Sequence, residues 1–314
     1  MRSVSAAVFQ AGNALAARVP ARVRHGASRA GGDAVYYLAP GLRRQALENY
    51  AGILHQPAGS ARVRRVARES LVGYAKLMTE FVLLPTLTAE QILAMVDWVG
   101  WDNIAHAVEA GRGAIVVTPH FGNWDLAAAA AVARGLPLTA VTEHFGDEAM
   151  NQRVVAARER LGMKVVPLGV SAGKAVLNAL RRGEVVALVC DLPPKEGRAI
   201  PVRVCGQATR VPAGPALLAL RTGAPVVPIT CLRRPDNRYR LEVQAPIEFS
   251  PGSDQDADVA RLSQAIMDRF EPILSAVPEQ WYLYSPMWAS PGAAAPAQSG
   301  RRPVEDDALV AGSR

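Results

Sequence analysis

The chain has 314 residues, half of them hydrophobic, which is enough to form the core of one large α/β domain or two small ones. Its net charge of +7 suggests an anionic partner such as lipid headgroups, nucleic acid or a phosphate-bearing substrate, although basic residues more often form an ordinary solvated surface. Three cysteines, Cys190, Cys205 and Cys231, are too widely spaced for a disulfide framework or a zinc site and predict reduced core residues in a cytosolic environment.

The first 34 residues form a basic N-terminal segment in which arginines are separated by alanine and valine. This pattern favours a weakly amphipathic helix on an anionic membrane surface, and a helix that packs on the domain explains it equally well. The segment lacks the uninterrupted apolar stretch of a secretory signal. No run of about 18 consecutive apolar residues occurs anywhere, so the sequence predicts no membrane-spanning helix.

Helices are predicted over residues 37–110, where apolar residues recur at spacings of three and four. Within this region Thr88 stands three residues before Gln91, a capping-box pattern that predicts the start of a helix.

Short β-branched runs alternate with helical stretches from Gly113 onward. Strands are predicted for "GAIVVT", "LTAVT", "MKVVPL", "EVVALVC", "IPVRVC", "PVVPITCL" and "YRLEVQ". Strands separated by helices of this length form βαβ units, so we expect an α/β fold with a largely parallel central sheet flanked by helices. One domain is assigned to residues 35–290, and residues 291–314 are predicted to be a disordered tail.

A histidine stands where the first predicted strand ends, in "VVTPHFGNWD". Ligands of parallel sheets bind beyond the carboxyl ends of the strands, which is where His120 is expected. Gly122 permits a tight bend and Asn123 is a plausible N-cap, so Asp125 in the first helical turn is expected to reach the imidazole. A carboxylate on one ring nitrogen makes the other a better base for an alcohol proton. The alternative is a histidine that only caps the helix, with Asp125 stabilising the helix dipole.

A second pattern, "GVSAG" at positions 169–173, matches the G-x-S-x-G of a hydrolase nucleophile elbow. In that fold an acid and then a histidine follow the serine, whereas all five histidines here precede Ser171. Ser171 is therefore interpreted as a helix N-cap. Neither GxGxxG nor a Walker loop occurs, so dinucleotide-binding and P-loop folds have no support.

The "HFGNWD" block resembles the H-x4-D signature of the glycerolipid acyltransferase superfamily. In full it is most similar to the branch of bacterial lipid A acyltransferases and mycobacterial phosphatidylinositol mannoside acyltransferases. The resemblance covers residues 35–290 and continues through "EHF", "NQRVVAARERLGMKVVP", "CDLP", "GQATRVPAGPALLALRTGAPVVPI" and "PEQWYLYSPMW". It implies a glycerolipid-acyltransferase-like fold, peripheral on the cytoplasmic face of the plasma (inner) membrane, that uses no metal and no cofactor.

The resemblance also implies residue roles, with His120 as general base and Asp125 as its orienting partner. Glu143 and Arg158 stand at the spacing of an acid and an arginine that shape the acceptor pocket and the active centre in the mannoside branch. Glu196 stands near the place of a second acid that lies close to the histidine in that branch.

Further candidate substrate contacts surround this motif. Backbone N–H groups of the turn at Gly122 and Asn123 are candidate donors to an oxyanion. Trp124 is a candidate for stacking on a sugar or covering the histidine, and ordinary core packing explains it equally well. Arg158 and Arg210 are candidates for contacts with acceptor or donor phosphates.

These features predict a membrane-associated acyltransferase that moves a fatty acyl group from acyl-CoA or acyl-ACP to a hydroxyl of a glycolipid or lysophospholipid. One alternative is an acyl thioesterase, in which water replaces the acceptor. Another is a catalytically silent lipid-binding protein, against which the intact His/Asp pair argues. Nucleic-acid binding is motivated only by the net charge and is not expected, because basic patches interleaved with aromatic residues are not evident.

Overall fold

The computed structural model of the chain describes residues 19–289 apart from residues 110, 145, 170, 171 and 196. Most of the basic N-terminal segment, the predicted tail, Ser171 and Glu196 lie outside the described residues, so the predictions that concern them stay predictions.

Three long helices begin the described part of the chain: α1 (Ala21–Leu38), α2 (Pro40–Leu54) and α3 (Ala61–Leu83). Helix α1 packs closely on α3 at Gly32, where an added Cβ would overlap the backbone of Val72. It continues across the boundary predicted at residue 34. None of the helices in residues 19–289 that the structure describes is both long enough and apolar enough to cross a membrane.

A short 3-10 turn and helix α4 (Ala89–Ala94) lead into the sheet. The predicted capping box is confirmed, since the Thr88 hydroxyl accepts from the Gln91 backbone and the Gln91 side chain accepts from the Thr88 backbone.

Strands and helices then alternate along the chain. In order they are β1 (Val96–Val99), α5 (Asp102–Glu109), β2 (Ala114–Thr118), α6 (Trp124–Ala133), β3 (Leu138–Thr142), α7 (Glu148–Arg160), β4 (Lys164–Pro167), α8 (Ala172–Arg181), β5 (Val185–Val189), β6 (Ala199–Val204), β7 (Gln207–Pro212), α9 (Gly214–Thr222), β8 (Val226–Arg233), β9 (Tyr239–Val243) and α10 (Gln255–Ala276).

Seven of these strands form the central sheet, in the order β1-β9-β8-β2-β5-β3-β4. Strands β8 and β9 pair antiparallel and the other neighbours pair parallel, which confirms the predicted fold class. Strand β2 lies between β8 and β5, and Thr118 at its carboxyl end is opposite Val189 at the carboxyl end of β5. The loops that follow these two strands therefore leave the sheet side by side.

The sheet divides the core into two layers, because successive residues of a strand point to opposite faces. On β2, Ile115 and Val117 face the layer that holds α3, α8, α9 and α10. Ala114 and Val116 face the other layer, which is covered mainly by α5 and α6. All three cysteines are buried and free, as predicted.

One prediction about the strands was wrong. Residues Val96–Val99 were predicted to be helical but form β1, because they pair along β9 and become the edge strand of the sheet. The run "IPVRVC" is a strand as predicted, but it lies outside the central sheet: it forms β6 of a separate antiparallel hairpin with β7, and this hairpin was not predicted. The hairpin closes at Cys205 and Gly206, both with positive φ, as a two-residue turn between twisted strands requires.

Candidate active site

The loop between β2 and α6 presents His120 at the carboxyl edge of the sheet. Gly122 makes the bend there with a φ of 60°, and a Cβ at this position would overlap the carbonyl oxygen of Cys231. Asn123 then caps α6, its side-chain oxygen accepting from the Leu126 backbone N–H at 2.9 Å. The predicted bend and the predicted N-cap are both confirmed.

The partner of the His120 imidazole is Asp191, in the loop that follows β5. The distance from Nδ1 to the Asp191 Oδ1 is 2.8 Å. Asp191 is fully buried, whereas 32% of the His120 side chain is exposed. The pair forms because β2 and β5 are neighbours and end in register, although 71 positions separate the two residues.

The predicted hydrogen bond between His120 and Asp125 is absent from the described structure, and Asp125 instead holds Arg158. The guanidinium of Arg158 donates to the two carboxylate oxygens at 2.7 and 3.2 Å. From the first turn of α6 the carboxylate faces α7, where the planar guanidinium offers two matched donors. Asp125 remains near enough to His120 for its charge to raise the pKa of the imidazole.

The pKa of His120 results from opposing influences. Burial lowers it, but the charge of Asp191 and the hydrogen bond to Asp191 more than offset burial, with help from Glu143 and Asp125, so that the net pKa lies above its usual value. A neutral imidazole that donates from Nδ1 to a carboxylate keeps its free lone pair on Nε2. This arrangement makes Nε2 the basic nitrogen of the pair.

Trp124 connects the histidine to an apolar cavity. Its ring meets the His120 ring edge to face at 5.2 Å between centroids, and it also forms part of the cavity wall. Trp124 is half-buried, so it both covers the imidazole and packs on the protein.

The cavity lies between the sheet and helix α6 and is partly open to solvent. Its free space amounts to about 470 Å³, the open solvent at its mouth included. Three alanines of α6 leave room for it because their side chains are short, namely Ala127, Ala128 and Ala131. Trp98 and Trp101 form a side wall, with the Arg134 guanidinium stacked over both rings.

The turn at Gly122 and Asn123 does not offer the oxyanion donors that were predicted. The Gly122 N–H donates to the Gln280 carbonyl at 2.9 Å, and the Asn123 N–H donates to the Cys231 carbonyl at 3.0 Å. Both groups are therefore used to hold the loop on neighbouring segments.

Asn123 is likewise turned inward, although it was predicted to contact substrate. Its fully buried amide donates to Glu80 Oε2 at 2.9 Å and to the Tyr239 hydroxyl at 3.4 Å. Glu80 in turn forms a two-pronged ion pair with Arg233. This buried network fixes the loop from beneath and connects it to α3, β8 and β9.

The remaining predicted residues occupy different surroundings. Glu143 follows β3, is exposed, and lies near enough for its charge to raise the pKa of His120. Arg210 lies on the hairpin strand β7, where its guanidinium donates to the Ala199 carbonyl at 3.3 Å. Arg158 is brought into the site through Asp125, whereas Glu196 lies outside the described residues.

Sequence reasoning missed Asp191 and Trp281. The Trp281 indole N–H donates to Asp191 Oδ2 at 2.6 Å, so the carboxylate joins His120 to the C-terminal aromatic block. A signal for Asp191 existed, since an acid directly after a buried strand stands at the ligand-binding edge of a parallel sheet. Among the described residues, no three His, Cys, Asp or Glu side chains are grouped as a metal site requires.

Comparison with known proteins identifies the family of this site. Residues 4–290 match the family described as bacterial lipid A biosynthesis acyltransferase. The chain belongs to this family.

Relatives within the lipid A acyltransferase family include two mycobacterial proteins named phosphatidylinositol mannoside acyltransferase. The protein from Mycolicibacterium smegmatis (strain ATCC 700084 / mc(2)155) is 31% identical over 285 residues, which cover 89% of this chain and 90% of the relative. The protein from Mycobacterium tuberculosis (strain CDC 1551 / Oshkosh) is 32% identical over 260 residues, covering 81% and 79% respectively. The chain is thus an acyltransferase of lipid or glycolipid biosynthesis, and its family implies a lipid acceptor.

Proposed function

We propose that this enzyme transfers a fatty acyl group from a thioester, acyl-CoA or acyl-ACP, to a hydroxyl of a glycolipid or lysophospholipid, with His120 as general base. The observation that supports this most directly is the contact of the His120 imidazole with buried Asp191 on one side and with Trp124, at the cavity, on the other. The proposed base therefore lies beside an apolar site that could hold an acyl chain.

In the proposed reaction, His120 Nε2 accepts the proton of the acceptor hydroxyl as its oxygen attacks the thioester carbonyl. The tetrahedral intermediate collapses by breaking the C–S bond, and the thiolate leaves and takes the proton back from the imidazolium. Asp191 holds the ring in the tautomer that leaves Nε2 free and stabilises its charged form. Such a base contributes about 10²–10⁴-fold to the rate. No metal or other cofactor has a part in these steps.

The apolar cavity is proposed to hold the acyl chain of the donor. Its lining is almost entirely aliphatic and aromatic, drawn from both the sheet and α6. A chain seated there would pass Trp124, whose edge touches His120, and so place its carboxyl end at the base.

A phosphoglycolipid is proposed as the acceptor, because the two mycobacterial relatives carry the name phosphatidylinositol mannoside acyltransferase. Asp125 and the exposed Glu143 lie near enough to His120 for their charges to raise its pKa, and Asp125 fixes Arg158. Arg158 and Glu143 are proposed to contact the polar head of this acceptor. A lysophospholipid is the second acceptor class to test.

Peripheral association with an anionic membrane, at the cytoplasmic face of the inner membrane, is proposed through helix α1. The face that meets the domain holds Ser28, Gly32 and Tyr36. The opposite face is exposed and apolar, at spacings of three and four, and comprises Val23, Ala27, Ala30, Ala34 and Leu38. Arg22 is also exposed on this helix, whereas Arg29 is held by the Glu69 carboxylate of α3. An exposed apolar stripe on a basic helix is typical of helices that lie in the membrane interface.

The decisive experiment incubates the purified chain with labelled acyl-CoA or acyl-ACP and liposomes, with and without a mannosylated inositol lipid or a lysophospholipid. We expect an acylated lipid as the main product, and loss of that product in His120→Ala while liposome binding persists. Fatty acid release that is independent of the acceptor would establish the thioesterase instead. Undiminished transfer by His120→Ala would overturn the role of the imidazole.

A further inference from the structure

The carboxylate that holds His120 is itself held by Trp281. The indole Nε1–H donates to Asp191 Oδ2 at 2.6 Å, while His120 Nδ1 lies 2.8 Å from Oδ1. Asp191 and Trp281 are both fully buried, so the carboxylate is divided between these two donors without solvent. A hydrogen bond to a charged, buried acceptor is among the stronger ones in proteins.

We infer that Trp281 is a positioning residue of the acyl transfer, whose indole N–H fixes the orientation of Asp191 and moderates its charge, and through Asp191 sets the basicity of His120. This inference rests on the proposed function of His120. In the proposed reaction Trp281 touches no reacting atom and acts through Asp191.

The backbone around Trp281 supports the same role. Trp281 forms an antiparallel bridge with Phe121, and the next N–H, of Tyr282, donates to the His120 carbonyl at 2.9 Å. The Tyr50 hydroxyl, in turn, donates to the Trp281 carbonyl at 2.6 Å. One segment therefore fixes both the backbone of the histidine and the carboxylate that the histidine meets.

The charged groups with the largest influence on the imidazole are three carboxylates. Asp191 follows β5, Glu143 follows β3, and Asp125 on α6 is paired with Arg158 of α7. Cys190, the buried residue before Asp191, has a thiol whose pKa is raised well above its usual value by burial and by the Asp191 charge. Trp281 is thus the neutral donor in this group, and it acts on Asp191 alone.

The direction of the effect follows from charge. A donor on Oδ2 withdraws negative charge from Oδ1, so removing the donor concentrates charge where the imidazolium would lie. The His120 pKa should then rise, and a smaller fraction of the imidazole is neutral and able to act as a base at a given pH. Asp191, left with one unpaired oxygen, should also lose its fixed orientation.

The test uses the full-length protein with Trp281→Phe, and with 3-benzothienylalanine introduced at position 281, in which sulfur replaces the indole N–H at nearly constant shape. The matched control is Trp288→Phe: its indole donates to the Asn49 carbonyl at 2.9 Å, and its ring lies 6.4 Å from that of Trp281. Two quantities are measured: the pKa of His120 by NMR, and the pH profile of kcat/KM for acyl transfer.

We expect the isosteric variant, with 3-benzothienylalanine at position 281, to raise the NMR pKa of His120 by about half to one unit. The acid limb of the pH profile of kcat/KM should move to higher pH by the same amount. At neutral pH kcat should fall roughly three- to tenfold, with the KM for the acyl donor unchanged. Trp288→Phe should change neither pKa nor profile. The isosteric variant keeps the test valid if Trp281→Phe fails to fold.

The outcomes separate the two proposals. An unchanged His120 pKa in the isosteric variant, or an equal shift in Trp288→Phe, overturns the role of Trp281. If the pKa shifts as expected but the unmodified protein transfers no acyl group, the positioning of Asp191 stands and the proposed function fails.

Discussion

Asp191 Oδ1 and His120 Nδ1 lie 2.8 Å apart, joined across the carboxyl ends of two neighbouring parallel strands. Among the described residues, His120 is the one basic group paired with the buried carboxylate, whose other oxygen accepts from a neutral indole. The charge that stabilises a protonated His120 therefore comes first from Asp191.

Replacement of Asp191 by Asn should reduce kcat of acyl transfer by about 10²–10⁴-fold, since the base loses its orienting acceptor and its tautomer is no longer fixed. The pKa of His120 should fall below 6.5, because burial still lowers it while the main opposing charge is gone. Steady-state kinetics and an NMR titration check both expectations. Asp256→Asn is the control, an exposed acid paired with Arg198 on the surface, and should behave as the unmodified protein does.

The activity of the unmodified enzyme should fall on the acid side with a midpoint above 6.5, because His120 must be neutral to act as a base and its pKa is raised. The same shift affects stability with a defined sign. A raised folded-state pKa contributes stability that is fully present below about 6.5 and is lost as the pH rises through the folded-state pKa. Urea denaturation from pH 6 to 9 should show this decline, and in Asp191→Asn this contribution should be absent.

Replacement of Gly122 by Ala should lower the free energy of unfolding by more than about 1–3 kcal/mol, since the added Cβ overlaps the Cys231 carbonyl and φ is positive. Gly135→Ala separates the two causes: φ there is 90°, but nothing lies within 4 Å of the added Cβ. Its cost should be confined to backbone strain, roughly 1 kcal/mol. Equal losses for the two variants in chemical denaturation would show that the close approach to Cys231 is unimportant.

Enlarging Ala128 should shorten the acyl chains that the enzyme accepts. Ala128→Leu places three more carbons in the cavity, and each displaced CH₂ of the substrate forgoes about 0.8 kcal/mol of burial. When acyl-CoA donors of different chain lengths are compared, we expect kcat/KM to fall for long chains and to stay unchanged for short ones. Ala133→Leu, on the same helix but outside the cavity lining, should keep the original preference.

Local features of the site were predictable from sequence, and its long-range contacts were not. The bend at Gly122 and the cap at Asn123 depend on a few consecutive residues, and both were predicted correctly. The pairing of His120 with Asp191 depends on β5, rather than the next strand β3, lying beside β2, and this strand order is not encoded in any local pattern. Asp125 is nearer to His120 in sequence, but from the first turn of α6 its carboxylate faces α7 and pairs with Arg158.

The strands show the same contrast between local and long-range features. Alternating β-branched runs predicted the central sheet. Strand β1 was mistaken for helix because its partner β9 is distant in sequence: Val96 pairs with Tyr239, about 140 positions away. Trp281 stood within a recognised aromatic block, but nothing local shows which carboxylate its N–H meets.

The loop that holds His120 is tied to carbonyl and amide groups of Gln280, Trp281 and Tyr282, nearly the last residues of the described fold. During synthesis the ribosome exposes His120 long before it releases these anchors. A nascent or C-terminally truncated chain therefore contains the histidine without the groups that immobilise it. Acyl-transfer activity should appear only once the whole domain has emerged.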